Sequence, residues 1–587
     1  MNWVDHLPIV PVVLPLLTGI VLLTVRNRNL AVQRGVSLVA TLALIPLAIA
    51  LVHTVSDGTQ LVYQLGNWTA PYGIVLVVDR LAAWMLLTTA LLAVFALLYA
   101  IRGSDIAGRH FHVLFQLQLF GLNGAFLTGD LFNLFVFFEI LLLASYGLLL
   151  HGGGRKRVRA GLHFVVINLV GSTLFLFAVG TLYGVTGTLN MADLAVKLAV
   201  TPADSLALVQ SAGVLLFAVF ALKAALLPLY LWLPAAYAHT SAPVAALFAI
   251  MTKVGAYCIL RVYTLMFGDA AGPVAHLLDP WLAPLALATL TLGMLGAVAS
   301  TTLRQQAAYL VVASIGSLLL AFGLGSPDAI AAGLYYLPHS VFAAAALFLL
   351  ADAISRARGE FADRFESGPR MPGARVLGGL FFVTAVAIAG LPPLSGFLGK
   401  FMLLKAALDL PLMPWVWSVV LATGLAGMIA LARSGSLLFY RTHTPHDATR
   451  ASARSGSAPL SAHDAAALAP VGGLLLLIAG LVIQAGPLSD YAHATATQLL
   501  QPQQYIEAVL GAAPRPPEGR VSGGVPLAGA APRPPEGRVS GGVPLAGAAP
   551  RPPEGRAPAS GTPVGSPLRG SDPSAVSGGV LLAGTAP

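Results

Sequence analysis

Cysteine is almost absent from this 587-residue chain: Cys258 stands alone. That excludes a disulfide framework. It also excludes an iron–sulfur cluster held by this chain by itself, which needs about four thiolates. Charge is scarce too. Asp, Glu, Lys and Arg make up 10% of the residues, against about 25% in soluble proteins. The net charge of +9 is spread over connections and tail, and no basic stripe offers a footprint for nucleic acid. No redox or metal-ligand motif is visible, so neither a cofactor nor a bound metal is expected. What fills the chain is apolar: 57% hydrophobic residues and a mean hydropathy of +0.80, in runs too long for buried strands. The reading is an all-α polytopic protein whose solvent is the lipid bilayer. The first run, Leu7 to Val25, is followed by no small-residue cleavage pattern, so it reads as a retained span.

About fourteen spans are expected, centred near residues 16, 42, 90, 120, 140, 172, 217, 254, 286, 315, 341, 388, 424 and 476. Residues 55 to 76 read as a surface hairpin, and 186 to 203 contain a candidate interfacial helix. Arginine and lysine cluster after the odd-numbered spans: Arg26, Arg28 and Arg34; Arg102 and Arg109; Arg155, Lys156, Arg157 and Arg159; then the groups from Arg356 to Arg375 and from Arg433 to Arg454. Basic connections lie on the cytoplasmic side, which sets the N-terminus outside a bacterial inner membrane. Beyond residue 500 the chain changes character. GAAPRPPEGRVSGGVPLA occurs at 511 and again at 529, followed by a partial copy at 547. Rich in Pro, Gly and Ala, this tail buries too little to fold. The expected organisation is 1–110 for three N-terminal helices, 111–266 and 273–440 for two five-helix units, 465–500 for a last helix, and 501–587 for a disordered tail.

Against this background a few charges stand out. Glu139 sits near the centre of LFNLFVFFEILLLASYGLLL. Lys223, Lys253 and Lys400, half of the six lysines, lie in apolar segments. Each charge at the bilayer centre costs about 2.5–3.5 kcal/mol, so such groups pair, or face water inside the protein, and mark ion or proton routes. The plainer readings are a structural ion pair for Glu139 and snorkelling to an interface for the lysines. Lys405, near a helix end, reads as snorkelling. His339 begins an apolar span and is placed to bridge Lys253 and Lys400; His239, in YAHTSAPV, is either a proton relay or a partner for a free carbonyl. Asp130 reads as a helix cap, and His151 with the glycines after it as a helix end.

Prolines mark the same places. Pro228 and Pro234 follow Lys223, and Pro392 and Pro393 precede Lys400. Interior prolines break helices, and in a membrane the freed backbone is tolerated only inside protein or beside water. The two breaks are five spans apart, which predicts two inverted five-helix repeats containing broken helices, with ion sites near the midplane.

Four segments carry a resemblance: LFNLFVFFEILLLASYGLLLHGG, LKAALLPLYLWLPAAYAHTSAPVAALFAIMTKVGAY, RQQAAYLVVASIGSLLLAFG and GLPPLSGFLGKF. Together, over roughly residues 70 to 440, the chain resembles the proton-translocating antiporter subunits. That family includes membrane-arm subunits of NADH–quinone oxidoreductase and the large subunits of Mrp-type (Pha or Mnh) antiporters. The strongest likeness is to the D subunits of the latter. The resemblance implies a fourteen-helix fold, a Glu139–Lys223 pair, and a hydrated polar axis continued by Lys253, His339 and Lys400. It also implies exchange of protons for a monovalent cation, Na+ first, in a complex with other small and large membrane subunits. The alternative is a proton-pumping subunit of an NADH–quinone oxidoreductase or hydrogenase-type complex, coupled to redox chemistry in other chains.

Overall fold

The computed structural model describes residues 3–25, 29–368, 370–441 and 466–511, all within one compact unit. The backbone answers the bilayer's demand that polar groups be satisfied internally with helices: α1 Val10–Thr24, α2 Leu30–Thr54, α3 Arg80–Ala100, α4 Phe111–Leu127, α5 Leu131–Leu150, α6 Arg155–Thr186, α7 Met191–Leu198, α8 Leu206–Ala224, α9 Trp232–His239, α10 Ala242–Phe248, α11 Met251–Met266, α12 Asp279–Ala299, α13 Leu303–Gly323, α14 Pro327–Arg358, α15 Ala374–Ala389, α16 Ser395–Ala406, α17 Met413–Gly435, α18 Ala469–Ile483, α19 Ala485–Leu499 and α20 Pro502–Leu510. Among the described residues eleven helices are long and apolar enough to cross a membrane, or up to twelve if α18 and α19 are one bent span. The expected centres near 120 and 388 fall on α4 and α15, which are apolar but shorter.

A central column is nearly closed to the surroundings. The best spanning window of α10–α11 is 100% buried, that of α14 89% and that of α13 83%, against 33% for α2 and α17. The outer helices turn leucines and phenylalanines outward, among them Leu162, Leu169, Phe177, Phe382 and Leu421, as a lipid-facing shell does. The expected hairpin is an antiparallel pair, β1 Leu61–Gln64 with β2 Val75–Val78. Its second strand is fully buried, while the turn between the strands exposes Trp68 and Tyr72. α7 matches the expected short helix.

Helix ends follow the residues. Asp130 accepts from Asn133 N at 2.8 Å and caps α5. Beyond Leu150, Gly152, Gly153 and Gly154 all hold positive φ. Two junctions share one pattern. Where α4 meets α5, Leu131 N donates to Leu189 O (2.9 Å) and Met191 N to Gly129 O (2.8 Å). Where α12 meets α13, Leu303 N donates to Asp363 O (3.0 Å) and Phe365 N to Thr301 O (2.9 Å). Each junction is thus clipped to the segment that follows the second helix downstream, α6 or α14.

The C-terminal part departs from expectation twice. The 465–500 segment is not one helix: α18 and α19 meet at 79°, and Tyr335 on α14 donates to the α18 carbonyl of Leu481 at 2.9 Å. Residues 502–510, expected in the disordered tail, form α20, with Tyr505 and Val509 buried. The rest of the expected tail, from 512, lies outside the described residues.

Candidate functional site

Both proline breaks are present, and each ends a helix beside a lysine. α8 stops one residue after Lys223, with Ala225 in the left-handed region. The loosened backbone there is satisfied by side chains: Trp232 Nε1 donates to Leu222 O (3.1 Å) and Leu227 N to Thr289 Oγ1 on α12 (2.9 Å). Pro234 lies in the first turn of α9 and does not break it. α15 ends at Gly390, φ +75°, and Lys400 Nζ from α16 donates to its last carbonyl, Ala389 O, at 2.9 Å. A cation at a helix C-terminus also meets the negative end of the helix dipole.

The first group of polar residues lies on α5, α6 and α8. The Lys223 ammonium, 6% exposed, donates to Asn168 Oδ1 at 3.1 Å and stands 5.8 Å over the Phe138 ring. The Glu139 carboxylate accepts from the Ser172 hydroxyl. Asn168 and Ser172 are four residues apart on α6, hence on one face. Glu139 and Lys223 make no direct hydrogen bond; each bonds to a side chain on α6, Glu139 to Ser172 and Lys223 to Asn168. Glu139 is also half-buried rather than enclosed, because α5 packs on α4 and α6 and leaves a flank open.

The second group lies on α11, α13, α14 and α16. Lys253, fully buried, donates to Ser314 Oγ on α13 at 3.0 Å. Ser314 lines a cavity of about 40 Å3 with Ser317, His339, Ser340, Lys400 and Thr423, and a water needs only about 10–15 Å3. His339 Nδ1 meets Ser395 Oγ at 2.8 Å. Ala343 also faces this cavity. Gly255 joins the two groups: a Cβ there would lie 2.4 Å from Ala224 N and 2.8 Å from the Lys223 carbonyl carbon. Only glycine lets α11 approach the end of α8 so closely, two residues from Lys253.

His239 stands apart. Its side chain is exposed at the end of α9, and its carbonyl accepts from Arg157 Nε at 3.0 Å. Lys405 is likewise exposed. The sequence reading missed Asn168, Ser172 and Ser314, which are neutral and common in spans. It also missed a buried pair at the other end of α11, where Arg261 donates both Nη1 and Nη2 to Asp79, at 2.5 and 2.6 Å.

Residues 128–427, which contain all of these buried lysines, Glu139 and His339, match the family described as NADH:quinone oxidoreductase/Mrp antiporter, TM. The chain belongs to that family. A Rhizobium meliloti protein named as the probable D subunit of a K(+)/H(+) antiporter is 42% identical over 544 residues, 87% of this chain and 98% of that protein. The D subunit of the Alkalihalophilus pseudofirmus Na(+)/H(+) antiporter is 37% identical, covering 86% of this chain and 99% of that protein. A chain in the structure of the Mrp complex from Dietzia sp. DQ12-45-1b superposes with a TM-score of 0.77 at 31% identity, over 87% of this chain and 100% of that one. The chain is thus a multi-pass membrane protein with the Mrp antiporter fold and with antiporter D subunits as its relatives.

Proposed function

We propose that the chain is the D-type member of a multisubunit antiporter that exchanges protons for a monovalent cation, and that it moves the protons along Glu139, Lys223, Lys253, His339 and Lys400. The observation that carries the reading is the arrangement of these groups. Lys223, Lys253 and His339 are buried, and every group has a neutral polar neighbour in reach: Ser172, Asn168, Ser314, Ser395 or a helix-end carbonyl. Groups that can hold or release a proton, each next to a neutral hydrogen-bond partner, make a chain in which charge on one changes the cost of charge on the next. His239, exposed, is left out of this path.

The half-open Glu139 supports the multisubunit part. A carboxylate at mid-helix facing lipid is costly, so a neighbouring protein on that flank of α5 and α6 is the expected cover. The matching junctions at α4–α5 and α12–α13 support the two-repeat reading. Five spans separate them in the fourteen-span count; an odd number inverts the second unit, with one junction outside and the other cytoplasmic. The N-terminus is then outside and the membrane is the bacterial inner one. The relatives' names differ in the cation, K+ or Na+, so the class proposed is a monovalent cation.

The family description also covers respiratory subunits, and partners separate the two readings. Purify the complex in mild detergent from native membranes and identify its chains by mass spectrometry. Several small membrane subunits plus a larger homologue are expected. Flavin or iron–sulfur subunits would instead make the chain the proton channel of a redox pump.

A further inference from the structure

Helix α3 is largely enclosed, and the exceptions form a line. From Arg80 to Ala100 only Arg80, Leu87, Leu91, Phe95 and Leu98 are not buried. The four apolar ones follow at spacings of four, four and three residues, so they share one face. From Leu87 to Leu98 the helix rises about 16 Å. That is about half of a hydrocarbon core roughly 30 Å thick, the depth of one leaflet. At the Leu98 end the line opens into a cavity of about 580 Å3 between α2, α3 and α18, lined by Arg34, Leu38, Phe95, Leu98, Arg102 and Pro470. Its walls come from α2 and α18, which both pack on α3. Gly473 brings α18 against the floor: a Cβ there would lie 2.1 Å from the Phe95 ring. The mouth is basic. Arg34 is fixed by Asp105, with Nε and Nη2 at 2.6 and 2.8 Å, and its Nη1 has no partner among the described residues. The Arg102 guanidinium, exposed at the rim, has no partner among them either. Asp105 balances Arg34, so Arg102 leaves a net positive charge at the mouth.

We propose that this groove binds one acidic phospholipid, its phosphate at Arg102 and Arg34 and one acyl chain along Leu98, Phe95, Leu91 and Leu87. Basic pockets between spans take phospholipid headgroups, and the guanidinium fork matches phosphate oxygens. The lane below the mouth is apolar and as deep as one leaflet, which suits an acyl chain and leaves a free inorganic anion nothing to fill it. The surplus charge favours a net-negative headgroup over a zwitterionic one. Floor, walls and charged cap set the groove apart from the outer face of α6, where Leu169 and Phe177 project singly towards bulk lipid. A lipid seated here ties α2 to α18 across α3, and so joins the N-terminal helices to the bent C-terminal span.

The test uses the intact complex in mild detergent and a phosphatidylglycerol whose acyl chain carries a photoreactive group. After illumination, crosslinks are expected on the peptide from Leu81 to Arg102, at the Leu87, Leu91, Phe95 and Leu98 positions. Excess unlabelled phosphatidylglycerol is expected to abolish them, and phosphatidylcholine to leave them in place. This arm is read on the unaltered complex, so it does not depend on how a variant folds. Arg102→Ala, assembled with its partners, is expected to lose most of the labelling. No label on that peptide, or a label that phosphatidylcholine removes equally well and that Arg102→Ala retains in full, would overturn the proposal. The first result means no lipid in the groove, and the second means bulk lipid only. A further arm covers protein occupants: Leu98→Cys in a Cys258→Ala background is treated with a short thiol-anchored photocrosslinker. Crosslinking to lipid supports the proposal. Quantitative crosslinking to residues 442–465 of this chain, or to another subunit, would overturn it by showing the groove filled with protein.

Discussion

Asn168→Ala is the sharpest perturbation of the first polar group. Asn168 Oδ1 is the hydrogen-bond acceptor of the buried Lys223 ammonium. Alanine removes it and leaves no oxygen in its place, while the helix is untouched because Asn168 otherwise only donates to Phe164 O on its own helix. A hydrogen bond to a charged group contributes about 1.5–3 kcal/mol. If charge on Lys223 is needed in each cycle, about 2 kcal/mol corresponds to about a thirtyfold slower exchange. The assay is dissipation of a pH gradient on cation addition, in vesicles carrying the purified complex, with subunit content checked by gel. Thr173→Ala, on the exposed face of the same helix, serves as the control and is expected to run at the parental rate. Ser172→Ala is also expected to slow exchange, and the double variant by less than the product of the two, since both residues serve one link between Glu139 and Lys223. An assembled Asn168→Ala complex exchanging at full rate would refute the reasoning, because Lys223 would then need nothing from α6.

Other consequences can be checked alongside. Pro338 removes the amide that would bond Leu334 O, and Trp84 Nε1 donates to that carbonyl at 3.1 Å. Trp84→Phe is expected to cost about 1–3 kcal/mol in detergent unfolding, and Trp84→Phe with Pro338→Ala to cost less than Trp84→Phe alone. Gly255→Ala is expected to block assembly or halt exchange, read by subunit recovery and vesicle assay, because its Cβ collides with the α8 backbone. Outside the spans, burial raises the Asp105 carboxyl, but hydrogen bonds from His112 and Arg34 outweigh it and hold it down to about 2. A carboxyl lowered on folding stabilises above its ordinary value near 3.8 and loses that contribution as pH falls towards 2. Asp105→Asn is therefore expected to lower the melting temperature at neutral pH and to converge with the parent in acid.

The sequence made the charges legible because each interrupts an apolar run: Glu139, Lys223, Lys253 and Lys400 could not be hidden. The proline breaks after Lys223 and before Lys400 were legible for the same reason. Asn168, Ser172 and Ser314 were not, since a neutral polar residue in a span carries no cost that demands explanation. Arg261 and Asp79 escaped for a different reason. Each lies near a span end, where charge is ordinary, and only the fold brings them within 2.5 Å. Pro338 lies inside α14. It leaves α14 unbroken because Trp84, far away in sequence, takes up the freed carbonyl. The bend at Gln484 has no charge or cluster to announce it, and the hydropathy of α18 and α19 together reads as one span.

The central claim is that protons cross this chain through the groups Glu139, Lys223, Lys253, His339 and Lys400. The direct test is cation-driven proton movement in vesicles carrying the intact complex with Glu139→Gln, and with Lys223→Ala, each beside the parent. The account predicts that both variants assemble with their partners and exchange almost nothing. Full exchange in both assembled variants would contradict it and leave the buried charges as packing elements only.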